Sequence, residues 1–250
     1  MFEALSDQVT ATLLMSLRIA PTFGFAPPFT LMRTPAMVRL ALSLGLSFWL
    51  VAANPENIRL PASEALLGAA ASELLFGMVI ALALQLAFAA LLTVGRALDI
   101  QVGFGLAQVA DPTLRTQMPL VGTLFSYAAG AVFFATSGPA DLLAIWARSV
   151  EEVPLGGFVA PSDLAALLGY INAVFMLAVG IAGVVFMTLF LIDLTIALMS
   201  RTLPQMNVLV LGFQVKTIAL LLTLPFVFAF SGALFLRIVR LAVESIPELL

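Results

Sequence analysis

The chain has 250 residues, of which 62% are hydrophobic and only 10% charged, and its net charge is −3 at neutral pH. A soluble domain carries about 25% charged residues, so with a mean hydropathy of +1.13 the expected solvent is a membrane or a large apolar assembly. Cysteine and histidine are absent, which excludes thiol nucleophiles, Cys/His zinc sites, His-ligated haem and imidazole acid–base work; no basic tract or stacking platform points to nucleic acid.

The N-terminal stretch MFEALSDQVTATLLMSL has neither a positive n-region nor a small-residue cleavage site, and is expected to be mature sequence rather than a signal peptide. Six apolar segments follow in chain order, at 8–26, 36–53, 65–94, 120–136, 164–199 and 208–236. A bilayer core takes about 20 residues, so the second and fourth are short. The third, fifth and sixth, at about 1.5 Å per residue, reach at least roughly 43 Å against a core of about 30 Å. They are expected either to tilt or to pack partly against protein.

The connectors are punctuated by proline. APPFTLMRTPAMVR (26–39) holds three prolines and two arginines, and NPENIRLPASE (54–64) is a turn leading to a helix start near Pro61 or Ser63. DPTLRTQMP (111–119) is bracketed by Pro112 and Pro119. The longest polar stretch, 137–163, contains a short amphipathic helix around 140–150, and Asp163 after Pro161 caps the next long helix. By the distribution of basic residues the acidic 137–163 loop faces outward and the 26–39 loop, with Arg33 and Arg39, inward. Six simple spans would then leave Arg237 and Arg240 outside, so not every segment is expected to be an ordinary span. No repeat with a period of 20–50 residues and no inverted repeat is visible.

Four ionisable residues stand inside apolar runs: Arg18, Glu73, Asp193 and Lys216. Such groups are costly and face protein or water. Asp193 lies eleven residues before Pro204 and Lys216, the only lysine, twelve after it. In a helical hairpin pivoting at Pro204 both stand about 17 Å from the turn. Either they pair across the hairpin as a buried charge pair, or each faces a neighbouring subunit or the headgroups. Arg96 and Asp99, three apart, either form a structural pair or line a pore entrance. Gly103 and Gly105 do not make a dinucleotide fingerprint, because position 108 is Gln and no strand–helix–strand frames them; close helix approach or a bend explains them. Nothing supplies a serine–base pair or an aspartate dyad, so no enzyme, cofactor or metal site is expected.

The 111–119 connector is either an ordinary surface turn or a polar element inside a water-filled cavity, since non-helical backbone at membrane depth needs protein or water around it. Asp111, Pro112, Arg115, Gln117, Met118 and Pro119 are its candidate residues, with Met118 as a compressible apolar plug or simply a packed side chain. Arg201, Pro204, Gln205 and Asn207 form the hairpin tip, a candidate contact with partners.

Three separated motifs resemble one family. SRTLPQMNVLVLGFQVK (200–216) resembles the signature of the FliR family, flagellar type III export-gate proteins related to the virulence secretion proteins of the SctT, YscT and SpaR type. APPFTLMRTPAMVRLALSL resembles the family's proline- and arginine-bearing loop before the second helix, and QVGFGLAQVADP, followed by Met118 and Pro119, resembles its central pattern. Together they span about 20–220, in the family's order; Gly212 before Phe213 is more flagellar than virulence-type. The chain departs from the family at Gln214, often proline, and at Pro139, often histidine, so neither of those family residues is essential to a shared mechanism. The resemblance implies an all-α membrane protein of long, partly kinked helices in hairpins: a FliP-like part over 1–160, then a FliQ-like hairpin and tail over 161–250. It implies partnership with FliP-like, FliQ-like and FlhB-like subunits in a pore-forming assembly of the inner membrane at the flagellar basal body, partly above the membrane plane. It also implies a loop at about 106–119 that reaches into the pore, and unfolded flagellar proteins as cargo. The alternative is a stand-alone channel or secondary transporter.

Overall fold

The computed structural model describes residues 2–32, 34–104, 119–158, 164–202 and 208–249. Among the described residues there are nine α-helices, one short 3-10 turn and no strand. They are α1 (Phe2–Phe25), α2 (Ala36–Ala53), the 3-10 turn Ser63–Ala65, α3 (Leu66–Val102), α4 (Leu120–Ala135), α5 (Gly138–Glu152), α6 (Ala165–Thr202), α7 (Val208–Phe230), α8 (Gly232–Glu244) and α9 (Ile246–Leu249). The chain is thus an all-α membrane protein.

Helix ends follow local chemistry. Pro35, extended at ψ 144°, precedes α2 because its ring cannot continue a helix N-terminally. Pro139 occupies the first turn of α5, where its missing N–H costs nothing, and Ser137 Oγ donates to Asp141 Oδ2 at 2.6 Å across the same turn. The run 208–236, expected as one apolar segment, is two helices. Pro225 lies inside α7, and Ser231 interrupts the chain and accepts backbone bonds from Leu234 (2.9 Å) and Phe235 (3.0 Å). A serine ahead of Gly232 favours a new start over continuation.

Among the described residues four helices are long and apolar enough to cross a membrane: α2, α3, α6 and Val210–Phe230 of α7. A fifth crossing exists if α4 and α5, bent by 68° at their junction, count as one broken span. At 37 and 38 residues, α3 and α6 are each about 55 Å long, far beyond a hydrocarbon core of about 30 Å. In their most apolar windows only 22% of α2, 28% of α6 and 22% of α7 is buried inside the chain, against 56% of α3. So α3 is the most enclosed of the four, and most of the apolar surface of the other three is left for lipid or other subunits.

The chain divides into two compact units, 1–87 with 130–171 and 239–250, and 88–129 with 172–238. In the first, Arg18 of α1 is completely buried. Its Nε and Nη2 donate to Glu73 of α3 at 2.6 and 2.8 Å, and its Nη1 and Nη2 donate to the carbonyls of Ser149 (2.8 Å) and Val153 (3.2 Å) at the end of α5. Glu73 also accepts from the Gly156 amide at 2.8 Å, and the guanidinium lies 4.4 Å from the centre of the Phe76 ring. Phe23, Phe29, Phe133, Phe134 and Trp146 form an aromatic cluster in the same unit. In the second unit, Phe125 packs edge-on against Phe228 and Phe235.

Candidate functional site

The second unit brings several of the sequence's unusual residues to the C-terminal end of α3. That end is closed by a glycine: Gly103 at φ +103°, a conformation costly for residues with a Cβ. Its amide donates to the Ile100 carbonyl at 3.1 Å, and the Phe104 amide to the Asp99 carbonyl at 2.9 Å. This pair of bonds is the Schellman closure, which satisfies two of the carbonyls that a helix end leaves without partners. A third, that of Gln101, accepts from Lys216 Nζ at 3.2 Å. An ammonium there also meets the negative end of the helix dipole.

Lys216 has a second partner. Its Nζ forms an ion pair with Asp193 Oδ1. The lysine side chain is 17% exposed and the aspartate 42%. The two contacts draw together α3, α6 and α7, the last two being the arms of the hairpin expected around Pro204. One turn before Lys216 on the same helix, Phe213 meets Phe104 edge-on, with ring centres 6.3 Å apart.

Asp99 works in the other direction. Both its carboxylate oxygens lie 3.3 Å from the Val121 amide in the first turn of α4, where backbone donors are unpaired and negative charge is favoured. Alongside, α3 and α4 touch backbone to backbone. A Cβ built on Gly95 would lie 2.2 Å from the Gly122 Cα, and one on Gly122 would lie 2.6 Å from the Leu92 carbonyl oxygen. Only glycine permits that approach. Phe104 and Pro119, the two ends of the intervening segment, therefore leave a pinned base. Pro119's carbonyl accepts from the Thr123 amide (2.9 Å) and hydroxyl (2.6 Å).

Of the residues singled out in the sequence, Asp193 and Lys216 are brought together. Arg96 and Asp99 are not: Arg96 is exposed, and Asp99 turns to the α4 amide, because an orphan helix N–H is a stronger claim on a buried carboxylate than a surface cation one turn away. Pro119 is described; Asp111, Pro112, Arg115, Gln117 and Met118 lie outside the described residues, as does Asp163. Arg201 is exposed at the end of α6, while Pro204, Gln205 and Asn207 lie outside the described residues. Sequence reasoning flagged Arg18 and Glu73 only as isolated charges; they are paired across 55 positions, a separation that carries no local signal. The capping role of Asp99 had a weak signal, a carboxylate four residues before the glycine that marks the helix end. Among the described residues no three acidic side chains group as metal ligands.

The model of the family described as "Bacterial export proteins, family 1" matches residues 9–242. The chain belongs to this family. Among its relatives, the flagellar biosynthetic protein FliR of Aquifex aeolicus is 30% identical over 91% of this chain and 90% of its own length. FliR of Escherichia coli is 27% identical over 93% and 91%. The Yop proteins translocation protein T of Yersinia pestis is 27% identical over 71% and 69%. The family-1 match thus runs from within α1 into α8, including the α3 end and the Asp193–Lys216 contact.

Proposed function

We propose that this family-1 export protein is a membrane subunit of a bacterial flagellar type III protein export gate, and that it forms part of the passage through which unfolded flagellar proteins leave the cell. The observation that carries this is the match over 9–242, to a family whose similar members are named for flagellar biosynthesis and for Yop translocation. The uncovered apolar surface supports it: α6, more than 50 Å long by about 1.5 Å per residue and with only 28% of its most apolar window buried inside the chain, needs neighbours besides a bilayer of about 30 Å. The subunit acts by shape and placement, moving cargo without chemistry on it.

The finer parts of the proposal extend this. FliP-like, FliQ-like and FlhB-like subunits are its partners, 1–160 is the FliP-like part, and 161–250 the FliQ-like hairpin and tail. The complex resides in the inner membrane at the flagellar basal body. The segment carrying Asp111, Pro112, Arg115, Gln117, Met118 and Pro119 closes the passage, and Arg201, Pro204, Gln205 and Asn207 contact a neighbouring subunit or the export machinery. Native mass spectrometry after mild detergent extraction tests the central statement. A large hetero-oligomer is expected; a monomer or a symmetric homo-oligomer would favour a stand-alone channel or transporter. Deleting 110–117 is expected to make the assembled complex leak ions without cargo, and wild-type tightness with intact assembly would remove the closing role.

A further inference from the structure

Helix α3 carries one polar side chain where hydrocarbon is expected. Between Glu73 and Arg96 the run 74–95 holds no charge, about the length of one membrane span. Gln85 stands at its middle, and any crossing of about 20 residues within Leu66–Val102 includes it. Its side chain is exposed, and among the described residues its amide bonds to no other group. An amide turned to lipid lacks the hydrogen bonds that water would give it, so lipid is its least favourable neighbour.

The amide lies in a groove of the first unit. Leu75, Met78, Leu82 and Gln85, spaced three, four and three residues apart, are all exposed and form one stripe of α3. With Phe25 of α1 and Phe158 they line a groove of about 240 Å³. Phe158 is fixed in place. Its amide donates to Ser72 Oγ and its carbonyl accepts from that hydroxyl, both at 3.1 Å, and its ring meets Phe76 edge-on with centres 5.1 Å apart. That wall is formed before anything docks, which lowers the cost of docking.

Chemistry narrows the occupant. Among the described residues lining the groove, Gln85 alone has a polar side chain and none is charged. A bridging water needs about two to four polar partners, which this lining does not supply. A cofactor-sized ligand takes about 300–1,000 Å³, more than the groove holds. A charged side chain would find no counter-ion. A three–four stripe of apolar residues broken by one amide is the pattern with which one helix receives another, the polar position setting register and partner. A second copy would offer the same recessed stripe, and two concave faces do not fill each other.

We propose that this stripe of α3 is a docking face for a membrane-spanning helix of a different subunit, and that Gln85 bonds to a neutral amide or hydroxyl side chain on that helix. The different subunit rests on the export-gate reading; the unsatisfied amide does not.

Gln85→Leu removes the amide and keeps the groove apolar. Because Gln85 bonds to nothing within the described chain, the isolated, detergent-solubilised variant is expected to unfold at the wild-type Tm. Co-expressed with the partner subunits, it is expected to associate about three- to tenfold more weakly in native mass spectrometry, the factor for one interhelical hydrogen bond. A benzophenone amino acid in place of Leu82 identifies the neighbour. The adduct is expected on a membrane-spanning helix of a co-expressed subunit, within one turn of an Asn, Gln, Ser or Thr. Replacing that residue by Leu alongside Gln85→Leu is expected to restore association, since two apolar groups leave nothing unpaired. An adduct with lipid alone or with a second copy overturns the proposal, as does a lowered Tm of the isolated variant, which would give Gln85 a role inside the chain. A wild-type chain that forms no hetero-oligomer overturns both the export-gate reading and the different subunit. A wild-type hetero-oligomer in which Gln85→Leu associates unchanged overturns the docking face alone.

Discussion

The Arg18–Glu73 pair offers the sharpest test of how the first unit is held. Both side chains are 0% exposed. Taking either away leaves its partner as an uncompensated buried charge, which costs about 3–5 kcal/mol. For a chain of this length that is a fall of about 6–20 °C in Tm, at roughly 2–4 °C per kcal/mol. Arg18→Met and Glu73→Gln should each show it, in thermal unfolding of detergent-solubilised protein followed by near-ultraviolet circular dichroism. The double replacement Arg18→Met/Glu73→Leu is the informative one. A buried ion pair is often exchanged for apolar residues at no cost, but this pair also serves backbone. Val153's carbonyl accepts from Arg18 Nη2 and the Gly156 amide donates to Glu73 Oε1, whereas Ser149's carbonyl keeps the Val153 amide as an alternative partner. Two orphaned backbone groups at about 1–3 kcal/mol each keep the double variant at least about 2 kcal/mol below wild type. A double variant as stable as wild type would show that the pair does no more than neutralise itself.

Gly122→Ala places a methyl against the Leu92 carbonyl oxygen, 2.6 Å away, and is expected to cost about 1–3 kcal/mol and to lower assembly yield on co-purification; unchanged yield and Tm would mean that α3 and α4 separate without cost. Gly103→Ala forces a Cβ into φ +103° and is expected to lower the same Tm by more than the ~1 kcal/mol typical of a compatible glycine replacement. Alanine at Arg201, Gln205 and Asn207 together is expected to reduce motility while the protein stays in the membrane fraction, and a fully motile strain would count against a partner contact at the hairpin tip.

Much of the helical frame was legible because proline and serine mark its breaks. Pro35 and Pro139 lie at helix starts, and the amphipathic stretch expected around 140–150 is α5, Gly138–Glu152. The juxtaposition of Asp193 with Lys216 was expected from constant rise at near-equal distances from Pro204, and the two side chains are in contact. What the sequence hides is any contact without a local period. Arg18 finds Glu73 across 55 positions and Ser149 across 131. For Asp99, local spacing was misleading: an i, i+3 neighbour of opposite charge is worth only about 0.2–0.5 kcal/mol, less than a buried amide 22 positions away in need of an acceptor. The Gly95–Gly122 approach was equally invisible, since a lone glycine in an apolar helix reads the same whether it meets lipid or another backbone.

A common rule links these cases. In a chain with only 25 charged residues, 11 basic and 14 acidic, three enclosed charges, Arg18, Lys216 and Asp99, serve helix termini, and their signs follow the helix dipole. Arg18 donates to carbonyls at the C-terminal end of α5, and Lys216 donates to a carbonyl in the last turn of α3. Asp99 accepts from an amide in the first turn of α4. Cations meet partially negative ends and the anion a partially positive one. The reason is the solvent. A helix end at the surface of a soluble protein hands its orphan groups to water, whereas one surrounded by apolar side chains or lipid has no such outlet, and each unpaired group costs several kcal/mol. A side chain able to reach that end and carrying the right sign offsets both its own desolvation and that of the terminus. Each such charge then becomes a fixed link between elements far apart in sequence, which is why changing its sign, even with its ion-pair partner exchanged to match, should loosen the helix end it closes.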